Sequence, residues 1–422
     1  MNRKRRMRVG RFTAVLLMIT TGVLLLDDAL HGTEHLLLLL KWWPLIAVLW
    51  GLEYLVLYLF SWKSKGTGRR FQLDLRGILL AVVLSASVFI VTEQKHYLHL
   101  WNKVSLNLTA AGVDYSEQEG NSVGKDVIAV PVSMDTQSIN VENINGDILV
   151  ERGPVENIDV QAEIWVDQIT GPEADVIGRE SSLEVSGDSN ITIQTKGKPY
   201  GQSGKRQPRM NLTITLPEDR RFDLSLRTMN GGIKLQHVDA IKQISMETAS
   251  GELNLDHVSG DIKGSTLNGK VNAFNVTGSV DLSTNQGNMQ AVDVSDSATL
   301  TTQVGNLSVI RAMGKIDART KNGNIYVDEI RSDFKAESLN GGITARSSLV
   351  EGNWDIYSAV GELTLNLPEE GSYEMDGIIS YGDIRNQFPE FTVDKKNITG
   401  AVGLGEYKVH IEGNSDLNVN KY

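Results

Sequence analysis

Thr302-Gln-Val-Gly305-Asn-Leu307-Ser-Val309 and Thr320-Lys-Asn-Gly323-Asn-Ile325-Tyr-Val327 are two copies of one unit, 18 residues apart. The glycine of that unit recurs at Gly231, Gly251, Gly269, Gly287, Gly305, Gly323, Gly341 and Gly361, with spacings of 18 or 20. Three residues before each stands a hydroxyl (Thr228, Thr248, Thr266, Thr284, Thr302, Thr320, Ser338, Ser358). Two residues after each stands an aliphatic side chain or Met (Ile233, Leu253, Val271, Met289, Leu307, Ile325, Ile343, Leu363). A fixed period sustained over this many copies marks a repeat architecture in which each unit buries its apolar face against its neighbours.

Within a unit the apolar positions alternate, as at Ile233 and Leu235 or Ile325 and Val327. A second alternating run follows, seen at Ile244 and Met246, Ile262, Val280 and Leu282, Ile316, Phe334, Trp354 and Ile356. Period-two alternation separated by Asn-Gly, Ser-Gly or Gln-Gly predicts strand, turn, strand, turn, and Gly260, Gly278, Gly314 and Gly352 mark a second corner. Chemically alike residues recur once per full period, which favours in-register parallel stacking over a meander. The expectation is an all-β parallel β-solenoid of about 18 residues and two strands per coil, with eight regular rungs spanning ~38 Å. The hydroxyl column falls on the inward parity and needs partners, so it should bond along the stack or back to the corners. Looser half-repeats at Asn145-Gly-Asp-Ile148, Tyr381-Gly-Asp-Ile384 and Gly405-Glu-Tyr407 predict irregular coils at both ends. Residues 406–419 look like the closing coil, with Trp354, Phe388 and Phe391 as end plugs.

The chain has 422 residues, a net charge of −11 and no cysteine, which excludes disulfides and thiol chemistry. The charge is divided unevenly. Residues 1–93 hold 12 Lys/Arg against 6 Asp/Glu, and the rest holds 29 against 46, an acidic bulk that excludes a nucleic-acid partner. The basic cluster Arg3 to Arg11 leads into an apolar run without a small-residue cleavage pattern, so it is taken as a membrane segment rather than a signal peptide. Three transmembrane helices are expected, at about 12–26, 36–60 and 75–91, within a membrane domain of residues 1–93. Basic flanks place the N-terminus in the cytoplasm of a bacterial plasma membrane and the C-terminal domain outside it, with the lipid bilayer as one partner. Residues 94–137 are expected to be an interfacial segment and stalk, and 138–422 the outer β-solenoid.

Three features are candidates for a site. Glu53 lies inside the second expected span, where a carboxylate either serves function or packs hydrogen-bonded near Thr20, Ser85 or Ser87. Lys196, Lys198, Lys205, Arg206 and Arg209 form a Gly/Pro-rich basic loop that either touches anionic polymer or lipid head groups or is a solvated hairpin. His237 and His257 share a corner column on successive rungs and either share a metal or are surface residues.

The phrase Asn211-Leu-Thr-Ile-Thr-Leu-Pro217-Glu-Asp, followed by Leu224-Ser-Leu-Arg-Thr228-Met-Asn230-Gly231-Gly232-Ile233, resembles the hallmark of the putative-adhesin β-solenoid family of bacterial envelope proteins. Asn140-Val-Glu-Asn-Ile-Asn145-Gly-Asp-Ile148 resembles that family's first coil, so the resemblance covers roughly 138–420. It implies a surface role with no catalytic residue to carry over. Separately, residues 8–60, with Gly22-Val-Leu-Leu-Leu26 and Trp43-Pro44-Leu-Ile, are similar to the transmembrane region of Lia-type envelope-stress proteins.

An enzyme would need carboxylates converging on one face. The outward row Ser245, Lys263, Asp281, Thr299, Asp317, Lys335, Asp355 separates its acids, placing Asp281 and Asp317 two rungs or ~9.5 Å apart. Corner aspartates Asp147, Asp261 and Asp383 lack the glycine pattern of calcium-binding rolls. No catalytic residue, metal site or cofactor is therefore assigned. The expectation is an adhesin-like or stress-sensing envelope domain that binds cell-wall polymer or another envelope protein. A structural spacer or an end-to-end polymerising solenoid is the alternative, and a polysaccharide-acting enzyme a third reading. Oligomeric state is left open.

Overall fold

The computed structural model describes residues 7–9, 71–73 and 114–422. The chain divides into two compact units, Met1–Ser105 and Leu106–Tyr422. In the first, strand Met7–Val9 pairs in parallel with Phe71–Leu73.

In the second unit the repeats wind as expected. Strands that follow each corner glycine stack into a first sheet, through Ile148, Ile233, Leu253, Val271, Met289, Leu307, Ile325, Ile343 and Leu363 in strict parallel register. Strands that precede each glycine stack into a second sheet, through Leu224, Ile244, Ile262, Val280, Ala298, Ile316, Phe334 and Trp354. The inward side chains of both sheets form one continuous apolar core. Burial of this column at every rung is the main favourable contribution to the fold.

The corner explains the Gly and Thr columns together. A Cβ on Gly305 would lie 1.9 Å from the carbonyl oxygen of Gly287, and φ there is +152°. Only glycine fits where each corner stacks so closely on the last. The same carbonyls accept the buried hydroxyls of the next coil: Thr248 donates to Gly231 at 2.8 Å, Thr320 to Gly305 at 3.1 Å and Ser338 to Gly323 at 3.0 Å. The ladder expected from the sequence thus bonds along the stack to the glycine carbonyls rather than to corner amides.

The expected fold class needs correction. The first and second sheets above are two stacks of one sheet, which joins the main strands of this unit and closes on itself like a barrel, instead of the all-parallel β-solenoid expected. Antiparallel strands enter at both ends, because a terminal coil has no next coil to satisfy its edge. Ile158–Val166 pairs antiparallel with Arg209–Pro217, Ser182–Ser186 with Asn190–Lys196, and Tyr373–Ile379 with Asn397–Val402. Among the described residues one short helix, α1 (Pro172–Glu180), interrupts the strands, with Pro at its start and Glu173 and Asp175 in its first turn. No helix among the described residues is long and apolar enough to cross a membrane. The three expected transmembrane helices are accordingly unsupported, and their segments 12–26, 36–60 and 75–91 lie outside the described residues.

The ends also depart from chain order. The coil at Asn145–Ile148 pairs on one side with the regular array and on the other with Asn190–Lys196 and Arg209–Pro217. Likewise Tyr407–Gly413 and Leu417–Lys421, expected to close the stack, insert between the Trp354 coil and the coil of Tyr373–Ile379 and Ile384–Asn386. Phe388 stacks on Phe391 at 4.9 Å in that outermost coil, whereas Trp354 lies further in, edge-on to Phe334 at 5.7 Å. Of the expected stalk, residues from Asp114 onward belong to the folded unit: Asn121–Gly124 and Ile128–Val130 both pair with Ile158–Val166.

Candidate functional site

The basic loop is largely neutralised from within. Lys196 pairs with Glu184 at 2.5 Å, Lys198 with Glu180 at 2.8 Å, and Arg209 with Asp147 at 2.8 Å. Lys205 is exposed. Arg206 is buried and grips Asp167 with two bonds of 2.7 and 2.6 Å while pairing with Asp114. Asp167 also accepts from the Tyr200 hydroxyl at 2.7 Å and the Glu117 backbone N–H at 3.0 Å. Burial alone would raise its pKa, but the Arg206 guanidinium, the Glu117 N–H and the Tyr200 hydroxyl outweigh burial and hold it well below the usual carboxylate range. These residues latch the strand Asp114–Tyr115 onto Arg206–Gln207. Nothing in the sequence pointed to Asp167 as the partner, because 39 residues separate it from Arg206.

His237 and His257 do share a corner column. Their rings stack with centroids 5.0 Å apart and planes 12° from parallel, and His257 Nδ1 lies 2.8 Å from Asp256 Oδ1. Parallel rings at that separation do not aim their nitrogens at a common point, and among the described residues no group of three or more His, Asp or Glu could hold a metal. Glu53 lies outside the described residues.

The column these histidines begin was missed by the sequence reading. His237, His257, Asn275, Asp293, Arg311 and Glu329 all adopt left-handed backbone, with φ between +52° and +57°. Each left-handed residue acts as a bulge that flips the inward parity, so that Val238, Val258, Val276, Val294, Ala312 and Ile330 point into the core. The signal was available: an apolar residue seven positions after Gly231, Gly251, Gly269, Gly287, Gly305 and Gly323 breaks the period-two pattern.

Because the chain bends at the same place in six successive coils, the bends align into an open furrow of about 680 Å³. Asn275, Asp293, Arg311 and Glu329 form one bank, Thr277, Ser295, Met313 and Arg331 the other, and Val276 and Val294 line it between them. Arg311 clamps Asp293 of the preceding coil with bonds of 2.5 and 2.7 Å, and Arg331 holds Glu329 at 2.9 Å. The Arg311 hydrogen bond lowers the pKa of Asp293, and that of Arg311 is raised in return.

Beside this bank the first sheet presents two outward rows. One is Lys234, Asn254, Asn272, Gln290, Ser308, Tyr326, Thr344 and Thr364; the other is Gln236, Asp256, Phe274, Val292, Ile310, Asp328 and Arg346. On the second sheet Asp281 and Asp317 occupy one outward row with Thr299 between them, and Asp317 is clamped by Arg319 at 2.7 and 2.6 Å. The corner aspartates serve as ties between coils: Asp261 accepts from the Ser279 hydroxyl at 2.7 Å and Asp147 from Gly232 N–H at 2.7 Å.

No curated protein matches this sequence. Among solved structures, the chain is similar to one from Clostridium sporogenes described as a "putative cell adhesion protein". Identity there is 13%, covering 72% of this chain and 100% of that one, with a TM-score of 0.19. A "putative adhesin" from Bacteroides fragilis matches at 14% identity over 72% of this chain and 98% of that one, with a TM-score of 0.24. A "putative lipid binding protein" from Parabacteroides distasonis matches at 11% identity over 72% and 99%, with a TM-score of 0.24. The Toastrack DUF4097 profile matches residues 136–420, the stretch that winds into the coiled sheet, and the chain belongs to that family.

Proposed function

We propose that the coiled sheet is an adhesin-like binding module of the bacterial cell envelope, located outside the cytoplasm. The observation that carries this reading is the aligned furrow with the outward rows beside it, a surface that repeats the same bend coil after coil. A regular surface of this kind suits an extended ligand better than a compact one, because each coil adds an equivalent contact. Its acidic bulk and internally paired arginines argue against a polyanion held by charge alone.

Retention of the purified full-length chain on isolated cell-wall fractions tests the proposal. Binding that is lost when Asn275 and Arg311 are both changed to Ala supports it, and failure to bind any wall or membrane fraction overturns it.

A role in envelope-stress sensing is a second reading, motivated by the resemblance of residues 8–60 to Lia-type proteins. Deleting residues 114–422 should change the output of an envelope-stress reporter if the domain senses, and leave it unchanged if the domain is a passive spacer.

A further inference from the structure

We infer that the strip of the first sheet between Asn272 and Ile310 is a track for a neutral, β-linked glycan chain lying along the stacking axis, an inference that rests on the envelope-binding reading above. Three adjacent coils contribute Asn272, Gln290 and Ser308 in one row and Phe274, Val292 and Ile310 in the next. None of these six side chains carries a formal charge, and all are half-buried. On the second stack the same coils carry the charged Asp281, Asp317 and Arg319 in outward positions. Charge resumes where the strip ends, with Asp256 before Phe274 and Asp328 after Ile310. The neighbouring Asp293 and Arg311 neutralise each other through their two bonds.

The shape of the strip selects among occupants. Its apolar part is one side chain wide and two rung intervals or ~10 Å long, far below what a stable protein dimer buries. A peptide added as a strand would need an open sheet edge, and these strands are paired on both sides. A polyanion would find no cation within the strip. A pyranose offers flat C–H faces and a rim of hydroxyls, which match an apolar row flanked by amides and a hydroxyl. A β-1,4-linked chain advances by about 5 Å per sugar, close to the ~4.8 Å rung, so consecutive sugars meet equivalent residues on consecutive coils. Asn272 already donates to Asn254 at 2.7 Å, which fixes the orientation of that amide for a ligand.

Calorimetric titration of the full-length chain with a β-1,4-linked N-acetylglucosamine hexamer, and separately with poly(glycerol phosphate), tests the inference. The hexamer should bind the wild type and Thr301→Lys, a control on the second sheet, equally well. Val292→Lys should weaken it by about tenfold or more with an unchanged melting profile, since it places an unpaired charge in the apolar row. If Val292→Lys alters the melting profile, Gln290→Lys is decisive: weakened hexamer binding there supports the inference, and retained binding overturns it. Unimpaired binding by a normally folded Val292→Lys also overturns it. If the wild type takes the anionic polymer and ignores the hexamer, the glycan assignment falls while the envelope-binding reading stands. If it binds neither these nor any wall or membrane fraction, both fall.

Discussion

At the scale of single residues, two sites govern how tightly this chain is held. The carbonyl of Gly305 accepts the Thr320 hydroxyl, and the N–H of Gly305 donates to Asn322 at 2.9 Å, so the corner has no slack. Gly305→Ala should cost about 2–4 kcal/mol in denaturant unfolding, from the forbidden backbone region together with the clash on Gly287. The latch aspartate gives a pH signature. The pKa of Asp167 is depressed in the folded state, so its contribution is fully present above the unfolded carboxylate value near ~4 and is lost as pH falls below that, toward the folded value. The stability difference between the wild type and Asp167→Asn should therefore stay constant from neutral pH down to about 5. It should then shrink below about pH 4 in acid-dependent unfolding.

At the scale of the coil, the left-handed corner is the element that sequence alternation conceals. Arg311 sits at φ +56°, where a β-branched side chain clashes with its own backbone and glycine does not. Arg311→Val should lower stability by about 1–2 kcal/mol, while Arg311→Gly should change it by less than about 1 kcal/mol. Thermal or urea unfolding of the pair separates backbone strain from the loss of the exposed Asp293 ion pair, which both variants share.

At the scale of the whole unit, the ends are knitted out of chain order. The C-terminal strands lie between the Trp354 coil and the Tyr373 coil, so the tail bridges two parts of the stack that its removal would separate. A chain ending at residue 405 should lose protection in 373–402 under limited proteolysis, with fragments mapped by mass spectrometry. The regular coils upstream of Trp354 should stay resistant, because contacts in such a stack reach only to neighbouring rungs. Antiparallel strands at both ends also blunt the edges on which end-to-end polymerisation would depend.

The sequence by itself determined the winding of 228–365, because Gly305, Thr302 and Leu307 recur with one period and stacking is the arrangement that lets every copy satisfy the same contacts. It also determined that His237 and His257 lie one above the other. The tertiary structure alone decided the partners of Arg206, the furrow at Asn275 to Glu329, and the order of the terminal coils. The partners of Arg206 and the order of the terminal coils depend on contacts between residues far apart in the chain, which leave no periodic trace, whereas the furrow depends on a left-handed backbone that many side chains can adopt, marked in the sequence only by the apolar residue that follows it in each of those coils. The same reason explains why the basic loop looked like an exposed patch: the carboxylates that neutralise Lys196, Lys198 and Arg209 are brought beside them only by folding.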